Sequence, residues 1–214
     1  MILTSIYNAP VSYFALLLKH REAIILEQYD HYTKQTYRNR CRILGANGPL
    51  DLVIPVVKNH GKKVHMKDVK IDYDTDWQKN HWRSIVSAYA SAPFFEFIED
   101  AYVGFYLRKE AFLLDLNVGL MEVALDQLQL RTDITLSDAY RHPYNDYDAR
   151  ESIHPKRCFR LQDHSFQPAT YQQVFSEKHG FVPELSIMDL LFNEGPNARM
   201  ILEQSLHWQK ETRP

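Results

Sequence analysis

The chain has 214 residues, the length of one ordinary domain, and its 45% hydrophobic and 13% aromatic content can bury a sizeable core. Charged residues make up 24% and the net charge is −2 with histidine neutral, which excludes bulk disorder and supplies no basic excess for nucleic acid. The two cysteines, Cys41 and Cys158, are far apart and have no C-x-x-C partner, so a disulfide framework and a zinc knuckle are both excluded.

The N-terminus lacks the look of a signal peptide, since no Lys or Arg precedes the first apolar stretch, which stops at Lys19-His20-Arg21. The run Phe14 to Leu18 is far short of the roughly 20 apolar residues that cross a bilayer. Reduced thiols, no leader and no span predict a cytoplasmic protein. Ile2 to Ile6 reads as a strand, broken at Asn8-Ala9-Pro10, and Val11 to His20 has helical apolar spacing. Ala23 to Glu27 is a continuous apolar run, which completes a small βαβ unit. Thr36 to Leu44 and Leu50 to Val57 predict a hairpin around Asn47-Gly48, with Pro55 demoting the end of the second strand. Asn59-His60-Gly61-Lys62-Lys63 is a polar excursion, and Val69 to Tyr73 a further short strand.

From Asp76 the apolar period becomes helical. Asp76 predicts an N-cap, and the helix that follows runs to Ala90 before Ser91-Ala92-Pro93 ends it. Phe94 to Gln129 predicts a short helix and then a longer one, Tyr106 to Leu128. Tyr140 to Pro155 reads as a loop long enough to suspect a lid. Ala169 to Lys178, Ser186 to Asn193 and Pro196 to Trp208 read as three closing helices. The predicted class is α/β: a small mixed sheet built on an N-terminal βαβ unit and hairpin, followed by a mostly helical C-terminal half, all in one domain. Residues 2–73 are expected to form the sheet.

Three constellations could carry chemistry. On the helix from Trp77 to Ala90, Trp77, His81 and Ser84 share one edge, while Trp82, Val86 and Tyr89 form another. The Trp82 edge is the more apolar, so the core is expected there and His81 at the margin of a cleft. His81 is then either a general base, with Ser84 orienting, or a residue of a packed face. Arg38, Arg40 and Arg42 alternate with their neighbours and project from one strand face, with Lys34, Lys58, Lys62, Lys63 and Lys67 nearby. Such a row is either matched by carboxylates across the sheet or forms the floor of an anion site, where guanidinium forks suit phosphate. Glu96 and Glu99 share a helical face and serve either as acid and base or as first-turn residues opposing the helix dipole. Asp146 and Asp148 with His142 and His154 have no recognised metal-ligand spacing, so no metal is predicted. Phosphate-loop, dinucleotide-fold, serine-elbow and H-E-x-x-H motifs are all missing from the sequence.

Three stretches together resemble the WbqC-like family. They are Tyr37-Arg38-Asn39-Arg40-Cys41-Arg42-Ile43 continuing to Ile54-Pro55-Val56, Trp77-Gln78-Lys79-Asn80-His81-Trp82-Arg83-Ser84-Ile85 continuing to Asp100, and Ser186-Ile187-Met188-Asp189-Leu190-Leu191-Phe192-Asn193-Glu194-Gly195-Pro196. An N-terminal strand leading through Tyr7 and Pro10 to Tyr13-Phe14 fits as well. The resemblance implies a place among genes for O-antigen and other surface polysaccharides. It also implies transfer of an acyl or aminoacyl group, glycyl in one branch, to an amino sugar. The family supplies no catalytic residues to carry over, and whether a cofactor takes part is left open. The expected partner is a small-molecule substrate, with a nucleotide sugar as the fitting class, and neither nucleic acid nor a membrane span. On this reading His81, Glu96 and Glu99 are candidate catalytic groups, and Tyr7, Arg38, Asn39, Arg40, Arg42, Lys58, Trp77, Arg83 and Ser84 candidate substrate ligands. The rival expectation is a non-catalytic protein that binds a sugar nucleotide or a partner.

Overall fold

Two short apolar runs near the N-terminus pair in parallel: β1 (Ile2–Leu3) lies beside β2 (Ile24–Leu26), with Ile2 opposite Ile25 and Leu3 opposite Leu26. The computed structural model describes residues 1–21, 23–58, 62–142, 147–155 and 166–206; His60, Asp146, Cys158 and the expected helix end at Trp208 lie outside the described residues. Between the two strands runs α1 (Val11–Lys19), buried at every position from Val11 to Leu18 and packed against the C-terminal helices. The chain thus begins with the expected βαβ unit.

The third strand of this sheet comes from far along the chain. β5 (Ile134–Leu136) pairs in parallel with β2, so β2 is central. On its other side β1 is covered by residues 147–149, through Ile2 N–H to Tyr147 O and Ala149 N–H to Ile2 O, both 2.9 Å. The hairpin, β3 (Arg40–Gly45) and β4 (Gly48–Val53), forms a separate antiparallel sheet. The single mixed sheet expected over residues 2–73 is therefore two small sheets. The strand that closes the first one was not expected, because β5 is only three residues long and two of them are exposed. At the hairpin turn Gly48 has φ +109°, which L side chains rarely adopt. β4 stops at Val53, before Pro55.

The C-terminal half is mostly helical. α2 (Trp77–Tyr89) starts at Asp76, whose side chain makes no capping hydrogen bond. α3 (Phe95–Leu107) and α4 (Leu113–Gln127) are of similar length, against the expected short and long pair. Their junction is set by long-range pairing: Ile71 N–H donates to Ala111 O and Leu113 N–H to Val69 O, which draws residues 108–112 out of helical geometry. The expected strand at Val69–Tyr73 is spent on these bridges and on one between Val56 and Ile71.

The expected helix from Ala169 is only α5 (Ser176–His179), because the Gln173 amide bonds both the N–H and the carbonyl of Val182 and closes a loop instead. α6 (Ile187–Glu194) is capped by the Ser186 hydroxyl, which accepts from Met188 N–H. It ends at Gly195, φ +49°, where an added Cβ would lie 2.4 Å from the Phe94 ring. α7 (Ala198–Gln204) follows. One hydrophobic core runs from Leu3 to Leu206, and among the described residues no helix is long and apolar enough to cross a membrane.

Candidate functional site

Beyond β1 the chain makes a buried loop, Thr4 to Ala9, at the carboxyl end of the parallel strands, where open α/β sheets place their ligands. Asn8 holds φ +39°, a left-handed conformation that asparagine tolerates better than most residues. Tyr7 N–H donates to Tyr37 O at 3.0 Å and ties the loop to a 3₁₀ turn, Tyr37–Asn39. That turn, rather than β3, carries Arg38, whose residue is only 2% exposed. The expectation of one face for Arg38, Arg40 and Arg42 therefore fails at Arg38, which precedes the strand.

Arg38 Nη2 donates to Asp30 Oδ2 and to Glu151 Oε1, both at 3.0 Å. Across the pocket Arg150, also buried, forms a fork on Asp148, with Nε to Oδ1 at 3.0 Å and Nη2 to Oδ2 at 2.7 Å. Burial pushes the Asp148 carboxyl up, but the Arg150 contacts outweigh it and hold the group below its usual range. The hydrogen bonds to Asp148 raise Arg150 despite its desolvation. The pocket between the arginines is lined also by Thr4, Thr36, Tyr37 and His154, and leaves no room for a water molecule. Arg38 Nε, Arg150 Nη1 and Thr4 Oγ1 are buried with no hydrogen-bond partner among the described residues. Buried donors are nearly always paired in native proteins, so the unpaired Arg38 Nε is unusual, while the Arg150 guanidinium also lies over the Tyr140 ring at 5.2 Å and gains from its hydroxyl.

Next to this pocket lies a buried relay. Asn8 Nδ2 donates to Tyr106 Oη at 2.9 Å, the Tyr106 and Tyr7 hydroxyls are 2.9 Å apart, and Tyr7 Oη lies 3.0 Å from His81 Nδ1. The ring thus shares a hydrogen bond with the Tyr7 hydroxyl at Nδ1 and also meets the Val53 backbone. Burial lowers His81 to about 4, with the Val53 bond opposing, and the ring is neutral at pH 7. Burial also raises Tyr7 well above its ordinary value.

His81 is therefore not at a cleft margin. The buried residues of α2 are Trp77, His81, Ile85, Ala88 and Tyr89, the last from the Trp82 edge, while Trp82 itself is half-buried against the rings of Phe95 and Tyr106. Both edges find packing partners, and the relay satisfies the imidazole, so its burial leaves no polar atom stranded. Trp77 meets His81 edge to face at 5.1 Å.

The remaining candidates are scattered. Asn39 clamps β4, its Nδ2 on Ile54 O at 2.8 Å. Arg40 and Arg42 both pair with Asp51 of β4, Arg42 by a fork at 2.8 and 3.2 Å. Lys58 is exposed. Arg83 and Ser84 line a separate groove of about 410 Å³ against the hairpin turn, and the Ser84 hydroxyl bonds back to Asn80 O. Glu96 is exposed and Glu99 half-buried on α3, and neither side chain makes a hydrogen bond or ion pair among the described residues. The structure thus joins Tyr7, Trp77 and His81 in one cluster, with Arg38 beside it, and leaves the glutamates apart.

Thr4, Asp30, Arg150, Glu151, Asn8 and Tyr106 were not singled out by their sequence. For Arg150 and Glu151 the available signal was the length of the Tyr140–Pro155 loop. Two further carboxyls lie elsewhere, the half-buried Glu184 and the buried Asp189: desolvation raises Glu184 to about 7 and Asp189 to about 6. Asp189 accepts from Tyr89, Tyr171 and Gln173. Among the described residues no three His, Cys, Asp or Glu side chains converge as metal ligands would.

No solved structure matches the chain significantly. An uncharacterized protein of Mycobacterium tuberculosis, Rv1507c, is 29% identical over 208 residues, covering 87% of this chain and 89% of the relative. The sequence profile of the WbqC-like protein family matches residues 5–158 and 144–201, which include the relay, the arginine pair and the Ser186–Pro196 stretch. The chain belongs to the WbqC-like protein family.

Proposed function

We propose that the protein binds an anionic precursor of surface polysaccharide, of the nucleotide-sugar class, with its phosphate or carboxylate between Arg38 and Arg150. In this reading it works in the cytoplasm as a single domain and transfers an acyl or aminoacyl group, glycyl included, to the amine of the sugar. The observation that carries the proposal is the pair of buried guanidiniums with orphaned nitrogens at the carboxyl end of the parallel strands. The family name supplies the link to O-antigen and polysaccharide synthesis.

The transfer requires the amine nitrogen to attack the donor carbonyl and to lose a proton as the leaving group departs. His154 lines the pocket and stands where such a proton could go. His81, engaged by Tyr7 and the Val53 backbone, positions Tyr7 instead of exchanging protons with substrate. The enclosed imidazole also favours the rival reading, in which the protein binds a sugar nucleotide without turning it over.

A thermal-shift screen of nucleotide sugars and simple sugars tests the proposal. A ligand at a hundred times its dissociation constant stabilises the native state by about 2.7 kcal/mol. Melting temperatures raised by anionic sugars and unmoved by neutral ones support the reading, and no shift with any anionic sugar contradicts it. Release of the donor's leaving group in the presence of a binding amino sugar separates the enzyme from the binding protein.

A further inference from the structure

Three carboxylates pair with the two guanidiniums of the pocket, and of the three only Glu151 is in its lining. Asp30 balances Arg38 and the Asp148 fork balances Arg150, so Glu151 is a surplus negative charge. It is also unlike the others in placement: its side chain is 63% exposed, whereas that of Asp30 is 22% and that of Asp148 26% exposed. A glutamate so open to water gains little from an ion pair, and Arg38 already has the less exposed Asp30 at the same distance, so the Glu151 contact is the more replaceable of the two. The almost wholly buried Arg38 also has its Nε still unpaired. Glu151 is one of the side chains that line this closed pocket.

Resting on the functional reading above, we propose that the Glu151 carboxylate occupies the seat of the ligand's anion and that ligand binds by exchanging with it. The ligand's oxygen takes the Arg38 Nη2 donor that Glu151 gives up, and the Glu151 side chain, already mostly exposed, turns to solvent. The incoming group is a carboxylate or phosphate, whose several acceptor oxygens can take both the vacated Arg38 Nη2 contact and the unpaired Arg38 Nε. The exchange makes Glu151 an internal competitor that sets the affinity. An occupant present nine-tenths of the time weakens apparent binding about tenfold.

The test is isothermal titration of the whole protein with inorganic pyrophosphate and, separately, with glucuronate, at fixed salt. Glu151→Gln keeps the shape and removes the charge; Glu151→Ala removes both. Glu177→Gln on α5 makes the same change in net charge elsewhere in the chain. Both Glu151 variants should bind at least one probe about tenfold or more tightly than wild type, while Glu177→Gln binds as wild type does. The stronger probe tells a phosphate seat from a carboxylate seat. Equal binding by wild type and both Glu151 variants, or an equal gain in Glu177→Gln, overturns the exchange and leaves the arginine site standing. Binding of neither probe to any variant, with no nucleotide sugar bound either, overturns the exchange together with the site.

Discussion

Replacing His81 with glutamine separates a packing role from a proton-transfer role, because the two predict opposite pH behaviour. The imidazole shares a hydrogen bond with Tyr7 at Nδ1 and meets the Val53 backbone. A glutamine amide offers one acceptor and one donor of its own, so at pH 7.5 the loss is mainly ring packing against Trp77, about 1–2 kcal/mol. Acid changes the comparison. With a folded-state value of about 4 against 6.5 when unfolded, His81 takes up its proton more readily in the unfolded chain. Its contribution to wild-type stability is intact above 6.5 and is lost as pH falls from there towards 4. By pH 4.5 the loss amounts to about 2.5 kcal/mol. Glutamine does not titrate, so the gap between the two proteins should close or reverse on acidification. Urea unfolding followed by tryptophan fluorescence at pH 7.5, 6 and 4.5 measures it, and the titrations of other groups cancel in the difference. A gap constant to within about 0.5 kcal/mol refutes the buried neutral imidazole. A fall in turnover of about 10² to 10⁴ at unchanged stability would instead make His81 the base.

Glu184 tests the opposite sign. Its value is raised to about 7 from 4.5 by burial, so its stabilising contribution is present below 4.5 and is lost as pH rises through 7. Glu184→Gln should accordingly gain about 2 kcal/mol on wild type between pH 5 and pH 8.5 in chemical denaturation, and a pH-independent difference would contradict this. Gly195→Ala places a methyl group against the Phe94 ring at positive φ, and should lower stability by about 2–4 kcal/mol in the same assay. Asp51→Asn frees Arg40 and Arg42 from a half-exposed pairing. It should cost less than about 1 kcal/mol and leave nucleotide-sugar binding unchanged in titration calorimetry; altered affinity would return those arginines to the site.

The elements with strong local signals were legible. The βαβ unit, the hairpin at Asn47-Gly48 and the helix opening at Trp77 each follow from a run of apolar residues bounded by turn chemistry. What failed depended on distant partners. β5 is a strand because β2 needs a neighbour, and residues 108–112 leave the helix because Val69 and Ile71 bond to them. His81 illustrates the same limit within the site. Hydropathy places a histidine at the water boundary, but Tyr7, from the loop after β1, supplies the hydrogen bond that makes its burial inexpensive. Arg38 was legible as a candidate anion ligand by residue type alone. Its companion Arg150 sits in the loop suspected as a lid, and only the pairing of residues 147–149 with β1 brings the two guanidiniums to one pocket.

Titration calorimetry of wild type and Arg150→Lys with a panel of nucleotide sugars tests most directly whether the two buried arginines seat the substrate's anion. Lysine keeps the positive charge but loses the fork and the orphaned nitrogen beside the pocket. At least one nucleotide sugar should bind the wild type and bind Arg150→Lys about tenfold or more weakly, with the variant still folding cooperatively. Equal affinity in the two proteins would contradict the account.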